Sequence, residues 1–144
     1  MVITVHCDAI IRAICHMLTA DEGLKNAVVC REFPNVKQDI PLTKTIISVG
    51  LEGIEITCAE NYTTIHANES PIYYKIGVTV CVPKRQTGET CHETVDKVIA
   101  ALKAVVMNYS TTDVKVGQLK YSSALGALTV PITVRIFNGN VYRA

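Results

Sequence analysis

The sequence lacks an excess of either charge. Its 14 basic and 13 acidic residues leave a net charge of +1 and are scattered along the chain. No basic stripe of the kind that follows a nucleic-acid backbone stands out, so specific nucleic-acid binding is not expected. An acidic tail is lacking as well. So are long apolar runs. The longest, around Leu128 to Ile136, is broken by Thr129, Pro131, Thr133 and Arg135, far short of the roughly 18 apolar residues of a membrane span. The opening residues, Met1 to Asp8, carry no basic n-region of a signal peptide. The expectation is a chain that meets no membrane and stays in a cytoplasm until it joins something larger.

Signatures of catalysis are equally scarce. The glycines at 50, 53, 77 and 88 stand alone, so no glycine-rich loop follows a strand to cradle a phosphate. No G-x-S-x-G nucleophile elbow occurs. Of the four histidines, His6, His16, His66 and His92, two sit next to cysteines, as Cys15-His16 and Cys91-His92. Adjacent residues on a helix point about 100° apart, so neither pair readily clamps one ion, and the C-x₂₋₄-C or H-x₃₋₅-H spacing of structural zinc is missing. The six cysteines (7, 15, 30, 58, 81 and 91) are irregularly spaced and read as small buried apolar residues rather than a disulfide framework. Glu52, Glu55, Glu60 and Glu69 are dispersed over strands and loops and read as a solvated face rather than an acid–base pair. No catalytic, cofactor-binding or metal-binding residue is expected, which shifts weight toward a scaffold or binding role.

What is present is enough for one domain. With 144 residues, 49% hydrophobic and 19% charged, the chain can bury roughly two-thirds of its unfolded surface without a metal or disulfide. Residues 7–20 read as a helix, with Ile10, Ile11, Ile14, Met17 and Leu18 on one face, Asp8 in its first turn and Gly23 as a stop. A short apolar piece, Ala27 to Cys30, leads into a loop marked by Pro34 and Pro41. Ile46 to Leu51 and Ile54 to Cys58 read as two short strands, or as one strand bent at Gly50 or Gly53. The strand Ile72 to Val82 alternates cleanly, leaving Tyr73, Lys75, Gly77, Thr79 and Cys81 on a mixed face. A charged loop at Lys84-Arg85 follows. A second helix then carries the stripe Cys91, Val95, Val98, Ile99, Leu102, Val105 and Val106, begun by a Thr90–Glu93 capping box or equally by Thr87. Val114 to Tyr121 and Leu128 to Phe137 end the chain, with Pro131 marking an edge or a bulge. The order α-β-β-β-α-β-β predicts an α+β domain over 1–144: a mostly antiparallel sheet with two main helices on one face.

Long alternating strands with a proline-marked edge, and polar loops holding Phe33 and Tyr62, suit a subunit that meets other proteins. The layout resembles the tail terminator, or tail-completion, proteins of long-tailed phages and phage-tail-like bacteriocins. The matching residues are the helix Ala9–Leu18, the proline loop leading to Ile46-Ile47-Ser48-Val49, the strand Tyr74 to Val82, the loop Thr87-Gly88-Glu89 with the helix from Thr90, and the closing strand Leu128 to Ile136. The resemblance implies a structural protein, not an enzyme. Its subunits form a homo-oligomeric, hexameric ring through head-to-tail contacts. The ring caps the tail tube, ends its polymerisation and joins tail to neck or collar. Its implied partners are the tail tube protein and a neck, collar or connector protein, first in the host cytoplasm and then in the virion or tail-like particle. Tyr73, Lys84, Arg85, Tyr142 and Arg143 are the expected ring or partner contacts. The alternatives are a head–tail connector or neck protein, a small intracellular α+β enzyme or ligand-binding domain, and a thiol- or metal-responsive protein.

Overall fold

A computed structural model describes residues 7–31, 44–56, 69–83, 88–123 and 125–142. The elements are helix α1 (Cys7–Ala20), a 3₁₀ turn (Glu22–Leu24), strands β1 (Val28–Arg31), β2 (Ile46–Ile56) and β3 (Glu69–Pro83), helix α2 (Gly88–Asn108), and strands β4 (Thr111–Val116), β5 (Lys120–Ser122) and β6 (Ala127–Tyr142). The strands form one sheet in the order β1-β2-β3-β6-β4, with β5 also on β6. Every pairing is antiparallel except β1 with β2. The α+β class, with both helices against a mostly antiparallel sheet, is as the sequence predicts; the expected order α-β-β-β-α-β-β is one strand short, because the piece read at Val114 to Tyr121 is divided between β4 and β5.

Alternation decides which face meets the helices. Ile47 and Val49 of β2, Ile76, Val78, Val80 and Val82 of β3, and Val130, Ile132, Val134 and Ile136 of β6 form one cluster with Ile10, Ile11, Ile14 and Leu18 of α1 and Cys91, Val95, Val98, Leu102 and Val105 of α2. Each such aliphatic side chain contributes about 1.5–3 kcal/mol when fully buried, an upper figure because unfolded chains already hide some surface. The α1 face is the expected one, with Met17 packed at its margin. On α2, Ile99 is likewise marginal, and the side chain of Val106 lies outside the described residues.

Several local expectations are corrected. The piece at 27–30 is a strand: β1 runs parallel to β2, with Val28 opposite Ile46. Residues 46–56 are one strand whose register slips between Leu51 and Gly53, so the bend is a bulge centred on Glu52. Thr90 lies inside α2, its carbonyl accepting from the Thr94 hydroxyl at 3.0 Å; the helix therefore starts earlier than a capping box at Thr90 allows. Thr87, like His6, Phe33, Cys58, Tyr62 and His66, lies outside the described residues. Gly23 falls in the 3₁₀ turn after α1, where its N–H is accepted by the Asp21 side chain at 2.9 Å.

Pro131 is the instructive case. It marks neither the sheet's edge nor a bulge: β6 is an inner strand, and Pro131 pairs with Thr79 of β3. Its carbonyl accepts from Gly117 N at 2.7 Å on the other side, so its missing N–H also points that way. There the neighbouring ladder is broken, between β4, which ends opposite Ile132, and β5, which starts opposite Thr129. The proline thus removes no bond from the β3 ladder. Gly117 is matched to it, since a Cβ there would sit 2.7 Å from Pro131 Cγ. Gly117→Ala is expected to destabilise the fold by about 1–3 kcal/mol, the usual range for overpacking, read as a lower urea midpoint with unchanged slope. Adding Pro131→Ala in the same chain should recover part of the loss.

Candidate assembly surface

The face of the sheet turned away from the core cluster is where the conspicuous polar chemistry gathers. The register sets Gly53, Lys75, Arg135 and Asp113 in one row across β2, β3, β6 and β4, with Glu55, Tyr73 and Phe137 in the next. Lys75 Nζ meets Glu55 Oε1 at 2.9 Å, and Arg135 Nε lies 3.5 Å from Glu55 Oε2. The Arg135 guanidinium also stacks 3.7 Å from the centre of the Tyr73 ring. Tyr73 in turn packs against Phe137, ring centres 5.8 Å apart and tilted by 58°. A cation over an aromatic face gains from the ring quadrupole, so Arg135 is held between a carboxylate and a ring.

A shallow depression of about 450 Å³ is lined by Glu52, Glu55, Lys75, Asp113, Lys115 and Arg135, around Thr133. The bulge puts Glu52 here: its carboxylate lies across Gly77 and accepts from the Thr133 hydroxyl at 2.9 Å. The hydrogen bond from Lys75 foremost, with the charges of Lys75 and Arg135, lowers the Glu55 carboxyl below its ordinary value. Glu55 in return raises Lys75. Each thus favours the charged form of the other, as opposite charges in contact do.

The opposite side of the same strands shows a second feature. The core cluster stops at Val49 on β2, but β2 continues to Ile56. Leu51, Ile54 and Ile56 pair with Ile76, Tyr74 and Ile72 on β3, so they share the helix side of the sheet, yet they are 41%, 51% and 52% exposed. β1 pairs with β2 only as far as Val49, and no described strand pairs with the outer edge of Gly50–Ile56. Among the described residues, three large aliphatic side chains thus stand in a row, part-exposed, along one strand edge.

Of the contacts expected from sequence, Tyr73 lies in the open-face network, half-buried between Arg135 and Phe137. Lys84, Arg85 and Arg143 lie outside the described residues. So does the side chain of Tyr142, whose backbone ends β6 opposite Glu69. Cys81, on the mixed face with Tyr73, is fully buried and offers nothing to a partner. The residues that sequence reasoning missed are Lys75, Asp113, Lys115 and Arg135, and the row Leu51, Ile54 and Ile56; cross-strand register assembles the former, and the early end of the core exposes the latter.

Burial raises the thiols of Cys15, Cys30, Cys81 and Cys91 above their ordinary value. Cys91 is buried whereas its neighbour His92 is exposed, as helix geometry requires of adjacent positions. Among the described residues no group of three or more His, Cys, Asp or Glu is placed to hold a metal ion. Burial pushes the Cys81 thiol up to about 12 from an ordinary 9.0, with smaller effects from Cys30 and Cys91. Native protein treated with iodoacetamide at pH 8 should therefore leave Cys81 unmodified while the unfolded chain reacts there. The folded value is the higher one, so the stability Cys81 contributes is complete below pH 9 and is lost as pH rises toward 12. Unfolding titrations across that window should show the fall, reduced in Cys81→Ala.

No family model matches the sequence, and no curated protein matches it. Among solved structures, a chain from the virion of a native gene transfer agent particle is similar over 88% of this chain and 91% of that one, with a TM-score of 0.45 and 14% identity.

Proposed function

We propose that this chain is a structural protein of a phage or phage-like particle: a tail terminator that forms a ring, caps the tail tube, ends its polymerisation and joins it to the neck or collar. The observation that carries the reading is the β2 edge, where Leu51, Ile54 and Ile56 extend an apolar row beyond the protein's own core. A second copy of the chain is the proposed occupant, in a head-to-tail contact that closes a ring. The order of elements, which resembles that of tail terminators, supports the rest. In this reading the chain is not an enzyme, its partners are the tail tube and the neck or connector, and it passes from host cytoplasm to particle.

The test is a capping assay with tail tube protein from the same particle. Tubes polymerised with this chain present are expected to stop at a bounded length and to carry it at one end, visible by gold labelling. Tubes of unchanged length, with the chain left in the supernatant, would refute the proposal; binding to connector rings instead would select the neck alternative.

A further inference from the structure

We draw no further inference here: the strongest candidate, the charged depression between Glu52, Glu55, Lys75 and Arg135 on the open face of the sheet, belongs to the surface already described, and nothing in the structure shows what covers it.

Discussion

Ile54→Asp together with Ile56→Asp is expected to leave the fold standing and to abolish assembly. Both side chains are about half exposed and lie beyond the core cluster, so their replacement removes little that the folded monomer uses. Surface changes of this kind usually stay within about 0.5 kcal/mol. In an assembled ring the same positions would be covered by a neighbour. Each is already about half buried in the monomer, so losing the rest of its burial costs about half of the 1.5–3 kcal/mol of a fully buried aliphatic side chain, doubled over the two residues. An aspartate left there without a partner adds the expense of desolvating a charge. Because about 1.4 kcal/mol is tenfold in affinity, each contact should weaken roughly a hundredfold or more. Sedimentation velocity of the variant, beside circular dichroism to show an unchanged fold, reads both halves. An oligomer that survives the double substitution would move the interface elsewhere.

Ile76→Ala is the second large effect and the mirror of the first. Ile76 sits on the same side of the same sheet, directly opposite Leu51 on β2 and Val134 on β6, but it is fully buried in the cluster under the helices. Truncating a buried isoleucine costs about 2–5 kcal/mol, part lost transfer energy and part cavity. Against a total stability of about 5–15 kcal/mol, that is a large share, and urea denaturation should show it as a strongly lowered midpoint. A loss below about 1 kcal/mol would mean that the core collapses around the cavity or ends nearer β3 than described. Two isoleucines some 20 residues apart, one structural and one for contact, would then no longer be separable.

That separation was invisible in the sequence, and the reason is physical. The alternation in Ile72 to Val82 and the apolar stripes of α1 and α2 report which side of an element is apolar, and they predict those elements well. They do not report where the covering layer stops. Ile54 and Ile56 look like core strand residues by pattern, and only the end of the cluster at Val49 shows that they are not. Register is the other hidden quantity. Lys75 and Arg135 are unremarkable polar positions until β3 and β6 align them beside Glu55. The bulge at Glu52 and the ladder break at Gly117 are likewise settled by partners distant in sequence, Gly77 and Thr133 in one case and Pro131 in the other. Strand β1, four residues long and taking part in the sheet's parallel pairing, is too short for periodicity to declare. Alternation places Tyr73 on the mixed strand face beside Arg135 and Phe137, a signal that does not extend to the charged residues around it.

Closure of this chain into a ring has a direct physical signature. The measurement that tests it most directly is the native mass of the full chain, alone and with tail tubes from its own particle, with negative-stain images of the same samples. The expected species has six times the chain mass and is seen as rings with a central hole, free in solution or seated on tube ends. A monomer at every concentration that also leaves tube ends bare would contradict it.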